Sequence, residues 1–117
     1  MATILVVEDE KVVLDVTSEL IDLLGHHCLT AASLKETMAI FRQQTDIALV
    51  LLDRSLPDGD SLEQVAEMKR LQPAARIVIC SGDPLEVGKT TGVDAYLAKP
   101  FTLEDLQEIL HRFLPDH

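Results

Sequence analysis

The chain has 117 residues, 47% of them hydrophobic, and its 20 acidic and 10 basic side chains give a formal net charge of −10 at pH 7. This length fits one domain, and the apolar fraction is too high for a disordered chain. Because clustered lysine and arginine hold phosphate backbones, the acidic balance predicts a protein that does not bind nucleic acid.

The amino-terminal segment and the cysteines predict a cytoplasmic location. Residues 1–7 have no basic flank and only a short apolar run, unlike a secretory signal peptide. No stretch approaches the roughly 20 apolar residues that a membrane span needs, so no direct membrane contact is expected. Cys28 and Cys80 lie far apart without a Cys-x-x-Cys spacing, which favours buried free thiols in a reducing compartment.

Five apolar runs predict the strands of one sheet. They are residues 3–7, 28–31, 47–52, 76–80 and 93–97. The continuous runs are typical of strands that are buried on both faces. Because helices alternate with these strands, we expect parallel pairing, right-handed crossovers and helices on both faces of the sheet. The predicted fold class is a doubly wound α/β domain that covers residues 1–117.

Capping residues mark the predicted helices, which are residues 11–24, 33–41, 62–71 and 102–113. Gly25 stands where the C-cap of the first helix belongs. Ser33 with Glu36 matches a capping box at the start of the second helix, and Thr102 is the N-cap of the last. Asp83-Pro84 resembles a further helix start, but the two glycines and two threonines that follow support only one or two turns.

In doubly wound sheets, ligands bind at the carboxyl ends of the strands. Glu8 and Asp9 follow the first predicted strand, Asp53 the third, Ser81 the fourth and Lys99 the fifth. Three carboxylates in one pocket repel one another, and Lys99 offsets only one charge. A divalent cation would offset the rest, and oxygen ligands suit Mg²⁺ best.

Four segments at these strand ends together resemble the receiver domain of two-component response regulators. They are Val-Val-Glu-Asp at 6–9, Leu-Asp-Arg-Ser-Leu-Pro-Asp-Gly at 52–59, Ile-Cys-Ser-Gly at 79–82 and Tyr-Leu-Ala-Lys-Pro-Phe at 96–101. Each segment is weak alone, but all four occur in the family's order, each at the end of a predicted strand. The resemblance covers essentially the whole chain and implies a five-stranded, flavodoxin-like parallel sheet of order 2-1-3-4-5.

The resemblance implies a metal and phosphoryl site. Asp53 matches the aspartate that accepts the phosphoryl group and also contacts Mg²⁺. Asp9 matches a direct ligand of the metal, and Glu8 beside it acts mainly through a metal-bound water. Ser55, two residues after Asp53, is expected to offer its backbone carbonyl to the metal.

The resemblance also implies a switch beside that site. Lys99 matches the lysine that contacts the phosphoryl group, and Ser81 matches the hydroxyl that moves onto it. Tyr96 matches the aromatic residue whose rotamer follows that movement. The bond between Lys99 and Pro100 matches an X-Pro bond that is usually cis in the family.

The implied function is that of a phosphoacceptor. The domain would accept a phosphoryl group from a histidine kinase or a histidine phosphotransfer protein and then change a protein-binding surface. It would catalyse only its own phosphorylation and dephosphorylation, so it is not expected to be an enzyme for other substrates. Since no effector domain follows Pro115, we expect either a stand-alone receiver or one cut from a longer regulator or a hybrid histidine kinase.

Two other functions stay open. A Mg²⁺-dependent phosphohydrolase with an aspartyl nucleophile generally carries a second acid two residues later and a cap domain. Ser55 occupies that position, and 117 residues leave no room for a cap. An interaction module that acts without phosphorylation is disfavoured by the intact acids, but the unusual segment after Ser81 keeps it open.

Four features depart from the family's usual pattern. Glu8 replaces the commoner aspartate, Ser81 replaces threonine, and Arg54 stands where a hydrophobic residue is usual. We expect Arg54, at the rim of the pocket, to affect partner access or dephosphorylation. The segment between Ser81 and Tyr96 is about one turn shorter than usual, so the fourth helix of the family is shortened and the usual output surface is in question.

Single residues also have simpler interpretations. Lys99 alone would be an ordinary surface lysine, Ser81 a helix N-cap and Tyr96 an aromatic residue at the edge of the core. The histidines lack metal-ligand spacing with either cysteine, so we expect all of them at the surface; they are His26, His27, His111 and His117. The four motifs together favour the functional interpretation of the pocket.

Overall fold

The computed structural model describes residues 2–82 and 91–114. Its strands are β1 (Thr3–Val7), β2 (His27–Ala31), β3 (Ile47–Asp53), β4 (Ser55–Leu56), β5 (Gly59–Asp60), β6 (Arg76–Ser81) and β7 (Ala95–Ala98). Its helices are α1 (Lys11–Leu23), α2 (Leu34–Gln43), α3 (Val65–Leu71) and α4 (Leu103–Phe113), and a 3₁₀-helix (Ser61–Gln64) precedes α3. The short helix predicted to begin near Asp83 lies outside the described residues, so α4 denotes the last helix.

The five longer strands form one parallel sheet in the order β2-β1-β3-β6-β7. Counted among themselves, they have the order 2-1-3-4-5, so the expected doubly wound topology is confirmed. The chain passes from β1 to β2 on one side and later returns to β3 on the other side of β1. The topological switch point therefore lies between β1 and β3, where such sheets bind their ligands.

Different helices cover the two faces of the sheet. One apolar cluster joins β3 to α2 and α3 through Val50, Leu52, Met38, Phe41, Val65 and Met68. The other cluster joins β3 to α1 and α4 through Leu49, Leu51, Ile21, Leu106, Ile109 and Leu110. Alternate residues of β3 thus enter opposite clusters, which explains the continuous apolar run of this strand.

The helix caps follow the sequence closely. Gly25, just after α1, has a φ of +90°, and its N–H donates to the Asp22 carbonyl oxygen at 3.0 Å. Thr102 and Asp105 form a complete capping box at the start of α4. Ser33 Oγ accepts a hydrogen bond from the Glu36 N–H at the start of α2, whereas the Glu36 carboxylate binds the backbone N–H of residue 32 instead of that of Ser33. These contacts satisfy helix-end donors and acceptors that would otherwise need water.

The surface prediction is wrong for one histidine. His26 is only 4% exposed, and its Nδ1 accepts a hydrogen bond from the backbone N–H of Ala2 at 3.2 Å. The turn after α1 places this side chain against the residue that precedes β1. This is a tertiary contact, and local sequence does not reveal it. Both cysteines are free thiols; Cys80 is buried as predicted, whereas Cys28 is only half-buried. Within the described ranges, no helix has the length and apolar character required to cross a membrane.

Candidate functional site

Strand pairing brings the predicted residues to one edge of the sheet. Glu8 follows the last paired residue of β1 and lies level with Asp53, the last residue of β3. At the same edge, the Lys99 N–H donates to the Ser81 carbonyl oxygen at 2.8 Å and holds the ends of β6 and β7 together. Residues from distant parts of the chain therefore meet beside the switch point.

Three carboxylates form the centre of the site. Carboxylate oxygens of Glu8, Asp9 and Asp53 all lie within 4.8 Å of one another. Glu8 is 4% exposed and Asp53 is 9% exposed, whereas Asp9 is open to solvent. Lys99 Nζ lies 2.6 Å from Glu8 Oε1 and 3.4 Å from Asp53 Oδ2. The arrangement concentrates more negative charge than a single ammonium group neutralises.

The backbone fixes Glu8 in this cluster. Its N–H donates to the carbonyl oxygen of Ala31 in β2 at 3.0 Å. Its Oε2 accepts a hydrogen bond from the Asp9 N–H at 3.0 Å, while Oε1 binds Lys99. Both carboxylate oxygens of this largely buried acid therefore have donors, as a buried charge requires.

Burial and mutual contact change the protonation of Asp53 and Glu8. Burial, and then the hydrogen bond and negative charge of Glu8, raise the pKa of Asp53 to about 7, although Lys99 acts in the opposite direction. Burial also disfavours ionisation of Glu8, but hydrogen bonds with Asp53 and Lys99 outweigh it and lower the pKa of Glu8. Without a cation, Asp53 is the acid that retains a proton near neutrality, as expected for like charges in one site.

The thiol behind the cluster is inert. Burial, with a smaller contribution from the charge of Asp53, raises the pKa of Cys80 to about 12. Since the thiolate is the reactive form, Cys80 is not a nucleophile at neutral pH. Asp53 is the group at this edge that is suited to a nucleophilic role.

The expected switch residues occupy neighbouring strands. Ser81 ends β6 and is half-buried. Tyr96 lies in β7, opposite Ile79 of β6, and packs half-buried against the apolar cluster of α2 and α3. The Lys99–Pro100 peptide bond, directly after β7, is cis.

A loop that the strand patterns did not reveal forms the rim of the site. β4 and β5 make a small antiparallel hairpin in which Ser55 pairs with Asp60. The exposed Ser55 stands two residues beyond Asp53. In the hairpin turn, Asp58 accepts hydrogen bonds from the backbone N–H groups of Leu34 and Lys35, which connects the loop to α2 and lowers the pKa of Asp58. Strands of two residues are too short to show periodicity; only the turn signal at Pro57-Asp58-Gly59 pointed to this loop.

The donor set suits a hard divalent cation. Its three carboxylates supply only oxygen ligands, which favours Mg²⁺ or Ca²⁺ over a thiolate- or imidazole-binding metal. Burial and the neighbouring Glu8 raise the pKa of Asp53, and a cation bound between these carboxylates would offset that effect. Glu8, Asp9 and Asp53 can therefore hold a metal.

Comparisons with known proteins agree with this geometry. The sequence of residues 4–111 matches the family model of the response regulator receiver domain. The transcriptional regulatory protein VxrB of Vibrio cholerae is 38% identical over 109 residues, which cover 89% of this chain but only 42% of VxrB. The chain thus spans less than half the length of that relative.

Two solved structures share the fold over nearly their whole length. A CheY-like receiver domain protein from Methanospirillum hungatei has a TM-score of 0.91 with 28% identity, covering 99% of this chain and 95% of that one. The response regulator TrrA from Thermotoga maritima, solved in complex with Mg²⁺ and BeF, has a TM-score of 0.87 with 26% identity, covering 97% and 100%. Because the family match extends from β1 into α4, the chain belongs to the response regulator receiver domains of two-component systems.

Proposed function

We propose that residues 1–117 form a single receiver domain in which Asp53 accepts a phosphoryl group from a phosphohistidine donor. The observation that carries this proposal is the position of Asp53. It is a largely buried carboxylate at the end of β3, 3.4 Å from the Lys99 ammonium and beside Glu8 and Asp9. A buried acid that faces both further acids and a cation is typical of a functional carboxylate.

The proposed reaction is transfer to a carboxylate. An oxygen of ionised Asp53 forms a bond to phosphorus while the P–N bond of the phosphoimidazole breaks, and the electron pair of that bond stays on the imidazole nitrogen. Lys99 favours the ionised form of Asp53 and is positioned to bind a phosphoryl oxygen. Attack by water later returns the carboxylate and inorganic phosphate. We propose that the chain acts on no other substrate.

Glu8, Asp9 and Asp53, with the backbone carbonyl of Ser55, are the residues proposed to hold Mg²⁺. When bound, the cation would neutralise the carboxylates and the phosphoryl oxygens. The oxygen donor set and the TrrA structure with Mg²⁺ support this choice of metal.

The proposed output is a change of surface. The Ser81 hydroxyl would donate a hydrogen bond to the phosphoryl group. The Tyr96 side chain would then move toward the space that the Ser81 side chain leaves. The hydrogen bond from the Lys99 N–H to the Ser81 carbonyl oxygen supports a connection between these two strand ends.

The proposed partners are a histidine kinase or a histidine phosphotransfer protein. VxrB is named as a transcriptional regulatory protein, and the chain matches less than half of it. We propose that this acidic domain itself does not bind nucleic acid, and that any parent chain is a longer regulator or a hybrid histidine kinase.

Acetyl phosphate tests the proposal directly. We expect the intact mass of wild-type protein with Mg²⁺ to increase by one phosphoryl group. When EDTA is added before acetyl phosphate, the mass should not change. Asp53→Asn protein should gain none, and Asp46→Asn, which removes an exposed acid on another loop, should behave like the wild type. Unchanged wild-type mass would contradict the proposal, and sustained turnover of simple phosphate esters would favour the phosphohydrolase.

A further inference from the structure

Asp58 joins the tip of the β4–β5 hairpin to another element of the fold. Ser55 pairs with Asp60 across the hairpin, and Asp58 lies in the turn between the two strands. Asp58 Oδ1 accepts a hydrogen bond from the Leu34 N–H at 2.9 Å, and Oδ2 accepts one from the Lys35 N–H at 3.0 Å. Both oxygens of this exposed carboxylate therefore bind the first turn of α2.

The first turn of α2 is a firm anchor for these hydrogen bonds. The hydroxyl of Thr37, which is fully buried, donates to the carbonyl oxygen of the N-cap Ser33 at 2.8 Å. Leu34 is buried in the same apolar cluster as Leu56 of β4. The negative charge of Asp58 also suits the positive end of the helix dipole. Polar and apolar contacts therefore hold the hairpin against the start of this helix.

The base of the hairpin has a separate anchor. The Ser61 N–H and hydroxyl donate to the Arg54 carbonyl oxygen at 2.9 and 3.1 Å, and the Arg54 N–H donates to the Cys80 carbonyl oxygen at 3.0 Å. Ser55, whose backbone carbonyl is proposed to bind Mg²⁺, lies between this anchor and Asp58. Because an isolated two-stranded hairpin is at best marginally stable, the direction of the Ser55 carbonyl depends on both anchors.

The start of α2 also follows the segment that fixes another proposed metal ligand. The Glu8 N–H donates to the carbonyl oxygen of Ala31 at 3.0 Å, and Ala31 ends β2 shortly before α2 begins. The segment from Ala31 to Lys35 therefore contacts the backbone of Glu8 at one end and the hairpin that carries Ser55 at the other. It connects two sides of the proposed metal site.

We propose that Asp58 is a positioning residue of the metal site: its two hydrogen bonds to the start of α2 keep the Ser55 carbonyl within reach of a cation in the three-carboxylate cluster. The inference rests on the proposed metal site and goes beyond it, because Asp58 is outside that cluster. Mg²⁺ demands near-octahedral geometry, whereas Ca²⁺ accepts flexible arrangements of six to eight oxygens. Loss of Asp58 should therefore weaken the binding of Mg²⁺ more than that of Ca²⁺.

Separate calorimetric titrations of the full chain with Mg²⁺ and with Ca²⁺ measure this difference. We expect Asp58→Ala to weaken Mg²⁺ binding by about tenfold, the lower end of the range for groups that orient metal ligands, and Ca²⁺ binding by less than about threefold. Asp58→Asn keeps one acceptor oxygen, so its Mg²⁺ affinity should lie between those of Asp58→Ala and the wild type. Glu63→Gln removes an exposed charge from the 3₁₀-helix and should change both affinities by the same small factor.

Hydrogen exchange at the start of α2 gives a second readout. Coupling between two sites is reciprocal, so Mg²⁺ should slow exchange of the Leu34 and Lys35 N–H groups in the wild type by about fivefold. In Asp58→Ala these two amides should exchange faster, and Mg²⁺ should no longer slow them. The Gln44 N–H, which donates to the Ile40 carbonyl oxygen at the far end of α2, is the reference for general stabilisation. Melting temperatures show whether each variant is folded, and Asp58→Asn carries the comparison if Asp58→Ala is not.

The outcomes separate this inference from the proposed function. A wild-type protein that binds neither cation overturns the proposed metal site and the inference together. Normal wild-type binding that both Asp58 variants retain overturns the inference alone. Equal losses of Mg²⁺ and Ca²⁺ affinity in folded Asp58 variants show a general effect of charge and overturn the positioning role. Wild-type Leu34 and Lys35 amides that do not respond to Mg²⁺ would overturn it as well.

Discussion

Lys99 and Glu8 are 91 residues apart in the chain, and their side chains form an ion pair of 2.6 Å at the end of the sheet. The Glu8 side chain is 5% exposed and that of Lys99 is 26% exposed. Burial opposes the charge of Lys99, but its contacts with Glu8 and Asp53 outweigh burial and raise the pKa of the ammonium. This pair therefore holds the edge of the sheet together before any ligand binds.

Removing the ammonium should destabilise the domain. Lys99→Met leaves Glu8 buried without its cation, so we expect the free energy of unfolding in EDTA to fall by about 1–3 kcal/mol, less than for a fully buried pair because Lys99 is partly exposed. Lys11→Met breaks the exposed pair with Asp15 and should change stability by less than about 0.5 kcal/mol. Urea unfolding at pH 7 measures both, and equal stability of the two variants would contradict this account.

Replacing Asp53 should have the opposite effect to replacing Lys99 and should stabilise the metal-free domain. Its pKa is raised from 3.8 in the reference state to about 7 in the fold. Between these values the native state binds more protons than the unfolded chain, so the contribution of Asp53 to stability falls as pH rises through that window. Asp53→Asn should therefore be more stable than the wild type by about 1–2 kcal/mol at pH 8 in EDTA, because it removes a buried negative charge and its repulsion by Glu8.

Lowering the pH is the control for this effect. The advantage of Asp53→Asn should shrink toward zero at pH 4, where the wild-type carboxyl is protonated in the fold. Urea unfolding of both proteins across pH 4–8 gives the comparison. An advantage that is constant with pH would show that packing, and not charge, distinguishes the two side chains.

The metal site should depend on Asp9 more than its exposure suggests. Loss of residues that only orient metal ligands typically weakens binding by about 10- to 100-fold, so Asp9→Asn should weaken Mg²⁺ binding by at least about tenfold. Glu10→Gln is the matched control, because this exposed acid lies next to Asp9 but outside the cluster. Calorimetric Mg²⁺ titrations test both variants, and similar losses in the two would indicate diffuse attraction by the acidic surface.

Asp94 stabilises the other end of the sheet. It accepts hydrogen bonds from Lys69 Nζ and the Ile77 N–H, both at 2.8 Å, and it pairs with Arg76 at 3.3 Å. Burial opposes its ionisation, but these contacts outweigh it and lower the pKa of Asp94. Its stabilising contribution is therefore complete above its unfolded pKa of 3.8 and is lost as pH falls through the lower folded value.

Asp94→Asn should therefore cost about 1–2 kcal/mol of unfolding free energy at pH 7 and much less at pH 2. Because Asp94 precedes β7, away from the carboxyl ends of the strands, phosphorylation by acetyl phosphate should stay normal. Asp15→Asn, which affects only an exposed pair, is the control for stability. A phosphorylation defect in a folded Asp94→Asn protein would show that the two ends of the sheet are coupled.

Most of the fold follows from patterns that depend on near neighbours. Continuous apolar runs predicted the strands, and Gly25, Ser33 and Thr102 marked helix ends because capping is local chemistry. β7 begins at Ala95, two residues later than predicted, because the Asp94 side chain takes the Ile77 N–H that would otherwise extend the strand pairing. That contact joins separate segments, so periodicity gave no sign of it.

The site was predictable as a set of residues but not as a set of contacts. The end-of-strand rule places Glu8, Asp9, Asp53 and Lys99 at one edge. It does not indicate that Lys99 binds Glu8 more closely than Asp53, because this depends on side-chain reach and burial. Burial of His26 was missed for the same reason, since its partner Ala2 lies 24 residues away.

Mapping the phosphorylated residue tests the central claim most directly. Wild-type protein is treated with acetyl phosphate and Mg²⁺ and reduced with borohydride, which converts an aspartyl phosphate to homoserine. Peptide mass spectrometry then locates the change. We expect homoserine at position 53 and unmodified acids at Glu8, Asp9, Asp58 and Asp60. Reduction at one of those acids, or no homoserine in folded wild-type protein, would contradict the assignment of Asp53 as the phosphoacceptor.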